Sequence, residues 1–204
     1  MGLIEKRARQ KEEFRREILS AARELFINDG YEKFSMRRLA EKIDYSPTTI
    51  YLYFKDKDDL LFAVCEEVAE QFLANLRHIR SLQIDPLDAL RQALLYLIEF
   101  GINNPNQYKV FFFTKPNVYG TQEEFMQRDS MGRSSFLVFR EIVQDCIGAG
   151  KFQQIDSEIL TQVLAVATHG LIVMTVYNQS FPWADRNVLA QTLVDGLLKG
   201  YRKS

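Results

Sequence analysis

The stretch that most restricts how this chain can fold is Ser35 to Lys57, SMRRLAEKIDYSPTTIYLYFKDK. Met36, Leu39, Ala40 and Ile43 recur at helical spacing and make one apolar face, with Ser35 where an N-cap belongs. Asp44-Tyr45 interrupts the pattern, and Asp is one of the few residues besides Gly that tolerate the left-handed backbone of a tight turn. Ser46 offers the next capping hydroxyl, and Pro47 suits a first helical position, where its missing N–H has no cost. The second helix, Pro47 to Phe54, is too short to stand alone. Packing through Ile50 and Phe54 must hold it, which leaves Thr48, Thr49, Tyr51 and Tyr53 facing away, followed by Lys55 and Lys57.

A short helix that shows small hydroxyls, phenols and lysines suits the DNA major groove. Hydroxyls reach phosphates and base edges, a Thr methyl touches a thymine methyl, and lysines attract phosphate. Two such helices about a turn have helix-turn-helix geometry.

Ser35, Leu39-Ala40, Ser46, Tyr51-Leu52-Tyr53-Phe54, Lys55, Lys57 and Leu60-Leu61 together resemble the DNA-binding signature of TetR-type transcriptional regulators. Upstream, Ile18 to Phe26 (ILSAARELF) and Gly30-Tyr31 resemble that family's first helix and the break after it. Two positions depart: Asp44 stands where the family usually has Gly, and Tyr45 where it has a small aliphatic residue. The resemblance implies a DNA-facing set of Ser35, Arg37, Ser46, Pro47, Thr48, Thr49, Tyr51, Tyr53, Lys55 and Lys57. Thr48, Thr49 and Tyr51 are the candidates for base edges, and Arg37 for phosphate. It also implies a homodimer on a palindromic operator and a small, apolar or aromatic effector. The effector would act through a long helix joining its site to the reading heads, most simply to relieve repression. A TetR-like activator, or a helical module that binds a protein partner, are the alternatives.

The full chain has 204 residues, 47% hydrophobic and 26% charged, which is the balance of a soluble globular protein. Its net charge of −1 is not that of a strongly basic nucleic-acid binder. The distribution says more: residues 1–57 hold 13 Lys/Arg against 10 Asp/Glu, and the rest hold 13 against 17. The basic bias lies on the segment proposed to meet DNA. The N-terminus is charged and has no apolar core of a leader, Cys65 and Cys146 are isolated, and the apolar run Val163 to Tyr177 is short of a span of ~20 residues. These read as a cytoplasmic protein with reduced thiols and a buried helix.

Every other periodic segment is helical, so the expected class is all-α, with a DNA-binding domain at 1–56 (motif 35–54) and a helical effector-binding and dimerisation domain at 57–204. Residues 1–8 read either as an arm or as an extension of the first helix. With Arg9, Lys11, Arg15 and Arg16 they offer phosphate contacts or simply a solvated face. Asn28-Asp29-Gly30 closes the first helix. Asp56 is placed to cap a helix from Lys57 to about Leu82, spanning roughly 35–40 Å.

Helices follow at Pro86 to Asn103, a short one around Tyr108 to Phe113, a long one at Thr121 to Ile147 in which Gly132 marks a kink or break, then Asp156 to Gln179 and Asp185 to Tyr201. The segment 115–120 reads as a loop. Gly196 and Gly200, four apart, suit close helix approach, and the resemblance assigns 156–179 and 185–201 to the dimer interface; an ordinary intramolecular hairpin is the other reading.

The aromatic-rich body suggests a pocket drawn from Phe62, Phe72, Tyr96, Phe100, Tyr108, Phe112, Phe136, Phe139, His169, Met174 and Tyr177, with His169, Tyr96 and Glu99 as polar anchors. Aromatics at this spacing are equally what a core requires. Trp183 reads as a pin for the last interhelical loop. No cofactor or metal is expected. Gly148-Ala149-Gly150-Lys151 lacks the first glycine of a phosphate loop and is followed by Phe152, and His78 and His169 fall in no ligand or triad spacing. No catalytic constellation is visible.

Overall fold

A computed structural model describes residues 2–114 and 118–203. The described residues form ten helices and one isolated antiparallel bridge, Phe152 to Arg202, with no strand. The helices are α1 Leu3–Asp29, α2 Met36–Lys42, α3 Pro47–Tyr51, α4 Lys57–Ser81, α5 Pro86–Asn103, α6 Pro105–Phe113, α7 Gln122–Gln127, α8 Met131–Gly148, α9 Ser157–Tyr177 and α10 Arg186–Tyr201. The chain groups into two compact units: Met1–Val68 with Asn106–Arg128, and Ala69–Pro105 with Asp129–Ser204. Residues 115–117 of the expected loop lie outside the described residues.

In the first unit the apolar periodicity of α1 becomes a buried face of Ile18, Ala21, Ala22 and Phe26, with Leu25 only half-buried. It meets Leu39 and Ala40 of α2, Ile50, Phe54, and Leu60, Leu61 and Val64 from the start of α4. Phe26 and Phe34 stack at 4.2 Å, and α6 adds Val110 to the same core. Residues 3–8 belong to α1, so the extension, not the arm, is what forms. Gly30 ends that helix at φ +79° with its N–H on the Phe26 carbonyl.

In the second unit α5 packs against α8, α9 and α10 through Leu90, Leu94 and Ile98. Gly101 is needed there, because a Cβ would stand 2.6 Å from the Ile172 side chain of α9. Thr161, Thr168 and Thr175 are buried seven residues apart on α9, and their hydroxyls donate to the carbonyls of Ser157, Leu164 and Leu171. Trp183 does pin its loop: Nε1 donates to the Asn178 carbonyl at 2.9 Å.

Two boundaries differ from the sequence reading. The expected helix 121–147 is two helices. Arg128 takes an extended ψ of 129°, and Ser130, buried, accepts the Arg133 N–H as an N-cap. The break therefore precedes Gly132, which lies inside α8. The second helix of the pair ends at Tyr51 rather than Phe54, because Leu52 and Tyr53 turn back with N–H bonds to Thr49 and Ile50.

Candidate nucleic-acid interface

The turn between α2 and α3 is built as its residues require. Ser35 accepts the Arg38 N–H at 3.2 Å and starts α2. Asp44 takes φ +58°, and the Tyr45 N–H reaches back to the Ala40 carbonyl at 3.0 Å, which closes α2 with a Schellman-type turn. Ser46 accepts the Thr49 N–H at 3.2 Å, and Pro47 occupies the first position of α3. Ile50 and Phe54 are buried and hold this five-residue helix to the core.

What remains outward is the candidate interface. Ser46, Pro47, Thr48 and Lys55 are exposed, and Tyr51 is 52% exposed. Ser35 and Thr49 are half-buried, and the Thr49 hydroxyl lies 2.9 Å from that of Ser46, so one of its hydrogen bonds is used locally. Arg37 is exposed and pairs with Glu41 at 3.0 Å. Two residues expected to face away are drawn inward. Tyr53 is half-buried, its ring edge-on to Phe14 of α1 at 5.1 Å. Lys57 folds over the Tyr31 ring, its ammonium 4.0 Å from the centroid, where the cation–π attraction holds it.

The sequence reading overlooked Leu52, 76% exposed beside Tyr51. Its apolar type at the end of the amphipathic pattern suggests burial instead. Tyr45 is also surface-borne, with its ring 4.4 Å from that of Phe14.

The aromatic residues named for an effector site divide between the units. In the first, Tyr108 is fully buried against Phe112 at 4.8 Å, a core position, and Phe62 lies edge-on to Tyr119 at 5.3 Å with the Arg128 guanidinium 3.7 Å above it. Burial and the neighbouring Glu66 carboxylate push the Tyr119 phenol well above its usual range.

In the second unit, Phe72 packs on Tyr96 at 5.1 Å and on Phe100 at 4.8 Å, and the Tyr96 hydroxyl accepts from Asn75 at 3.0 Å. Phe136, Phe139 and His169 are half-buried, and burial holds the His169 imidazole below its usual pKa. Glu99, Met174 and Tyr177 are exposed, and the Tyr177 hydroxyl donates to the Pro105 carbonyl at 2.8 Å. No group of three or more His, Cys, Asp or Glu side chains that could hold a metal occurs among the described residues.

The outer stripe of α9 is apolar: Ile159, Val163, Val166, Met174 and Tyr177 are exposed, with Gly170 among them. The expectation of burial on several sides thus meets one uncovered face. Gly196 and Gly200 of α10 are exposed too, and a Cβ at either would touch nothing within 4 Å, so no packing inside the chain explains them.

The described architecture is that of an all-α protein with a helix-turn-helix head whose reading helix is held from behind and open in front. Residues 18–64 match the family model for bacterial regulatory proteins of the tetR family. That segment is a tetR-family domain, and the resemblance seen in the sequence is a family relationship there.

An HTH-type transcriptional regulator of Staphylococcus aureus (strain bovine RF122 / ET3-1) is 33% identical over 92 residues, which are 45% of this chain and 50% of that one. The match spans about half the length of such curated relatives. Over the whole chain the fold is similar to that of a TetR/AcrR-family regulator from Thermobifida fusca, with a TM-score of 0.69 and 22% identity, covering 94% of this chain and 100% of that one. It is similar also to the transcriptional regulator FadR from Bacillus subtilis, solved in complex with stearoyl-CoA, with a TM-score of 0.74 and 19% identity, covering 91% and 98%.

Proposed function

We propose that this chain is a TetR-like transcriptional regulator that binds a palindromic operator as a homodimer and represses until a small apolar or aromatic effector binds its helical body. The observation that carries the reading is the outward face of α3. Pro47, Thr48 and Tyr51 stand exposed on a helix whose buried residues belong to a tetR-family domain. That face has the groups that read a major groove, and Lys55 beside it attracts phosphate.

The homodimer is supported by the uncovered stripe of α9 and the open glycines of α10. In a dimer the two heads would engage half-sites roughly 34–36 Å apart. The effector is supported by the cluster Phe72, Tyr96 and Phe100, an apolar surface with one phenol as anchor. A ligand there shifts the DNA-binding equilibrium only as far as it prefers one state of the heads. The first residues of α4 lie in the head core and Phe72 lies on the same helix, so α4 is the element that would transmit such a preference.

Fluorescence anisotropy with duplexes from the DNA upstream of the chain's own gene tests this. Selective, salt-sensitive binding is expected, and Tyr51→Ala should weaken it by roughly 1–3 kcal/mol, which is about five- to 150-fold, with an unchanged melting curve. Equal affinity of the wild-type chain for every duplex would refute the reading.

A further inference from the structure

We infer that the duplex-binding surface continues beyond the recognition helix along one stripe of α1, where Arg7, Lys11 and Arg15 form a second contact to the sugar–phosphate backbone. The inference rests on the reading of the head as a DNA-binding domain.

Lys6 pairs with no carboxylate among the described residues and stands about 100° round the helix from Arg7; the other basic residues from Arg7 to Arg16 fall into two sets. Arg9 and Arg16 are spent on their own helix, paired with Glu13 at 3.2 Å and Glu12 at 3.4 Å. Arg7, Lys11 and Arg15 meet no carboxylate among the described residues. They recur every four residues, so they line one side of the helix with a cation about every 6 Å along its axis.

That side is the one that touches the reading head. Phe14, on the same side, packs its ring on Tyr45 and Tyr53, which flank α3 at its two ends. The Lys11 ammonium lies 5.9 Å from the Tyr53 ring, and the Arg15 guanidinium 5.3 Å from the Phe54 ring. The stripe therefore starts beside the recognition helix and runs outward along a rigid rod towards Arg7. A duplex seated on α3 has phosphates flanking the groove that α3 enters, and free cations beside that helix meet them at no cost in broken ion pairs. Lys6 apart, the chain thus separates its α1 cations by face: those opposite the stripe pair with carboxylates of their own helix, and those beside the head do not.

The full-length chain with Arg7→Gln and Lys11→Gln tests this, against the control Arg9→Gln with Arg16→Gln, in anisotropy titrations over a series of potassium chloride concentrations. Every phosphate that is no longer neutralised lowers the slope of log K against log salt by about 0.9, so the double variant should lose roughly two units per chain in the complex. Its affinity should fall by a similar factor on operator and on unrelated duplex, since phosphate carries no sequence information. All four positions are exposed, and matching circular dichroism and melting curves establish that the variants fold; Arg7→Gln alone should show about half the slope change.

A double variant with the wild-type slope, or a control that loses as much, overturns the inference while the reading of the head stands. A wild-type chain without salt-sensitive binding overturns both.

Discussion

Asp44 holds a left-handed φ of +58° in the turn before the recognition helix, at a cost that a Cβ imposes and a glycine escapes. The turn tolerates it because the Tyr45 N–H and the Ala40 carbonyl bond across it. Asp44→Gly should therefore raise head stability by up to about 1 kcal/mol, partly offset by the greater freedom of glycine in the unfolded chain. It also removes a carboxylate next to the candidate interface, so duplex affinity should rise as well; thermal melts and anisotropy check the two effects separately.

His169 gives a second prediction at this scale. Burial lowers its pKa below the ordinary 6.5, so the unfolded chain takes up a proton that the folded chain refuses. Its contribution to stability is full above 6.5 and declines as the pH falls from there towards the lower folded value. His169→Gln should flatten this part of the melting temperature–pH curve, and an unchanged slope would place the titrating group elsewhere.

Among the elements, helix starts were the most legible part of the sequence, because a cap is a local device. Ser35, Ser46 and Asp56 all accept the N–H groups that their position in the sequence suggests. Asp56 accepts two, from Asp58 and Asp59 at 2.9 Å each, and so fixes the first turn of α4 from which Leu60 and Leu61 enter the core. Asp56→Ala should cost roughly 1–2 kcal/mol in a denaturant or thermal unfolding experiment, with duplex affinity falling as the head loosens.

The break at 128–130 was placed too late, at Gly132, for the opposite reason. Phe125 and Phe136 continue a helical rhythm across it, and only the burial of Ser130 in the folded chain reveals its hydroxyl as a cap. Side-chain direction was legible on α3 at Ile50 and Tyr51, where periodicity decides it, but not beyond it at Tyr53 or Lys57. Those two are drawn inward by aromatic rings from α1 and from the 30–34 turn, far away in sequence. The effector residues were least legible, since spacing alone does not separate Tyr108, a core ring, from Met174, a surface side chain.

At the scale of the molecule, the feature left to explain is α9. It is 21 residues long and apolar enough to cross a membrane by length and composition, yet one side of it packs on α5, α8 and α10. Its other side presents Ile159, Val163, Val166, Gly170 and Met174 at intervals of three and four residues, a seam of the kind that helices close against one another. In the proposed homodimer a second copy of the same stripe would be its partner, since a two-fold axis brings like surface to like.

Two substitutions separate this from a merely exposed face. Val166 is 71% exposed, so Val166→Asp leaves the interior of the chain untouched but would bury an unpaired carboxylate in a dimer. Gly196→Leu meets no atom of its own chain within 4 Å of the new Cβ, and leucine is a better helix former than glycine by roughly 1 kcal/mol, so the single chain gains stability while close approach of a partner helix is blocked. Sedimentation should show both variants shifted from dimer to monomer with helicity retained, and operator affinity should fall because two linked half-sites become two separate ones. If both variants sediment as the wild-type chain does, the seam lies elsewhere, and the spacing of the two heads has to be set by another surface.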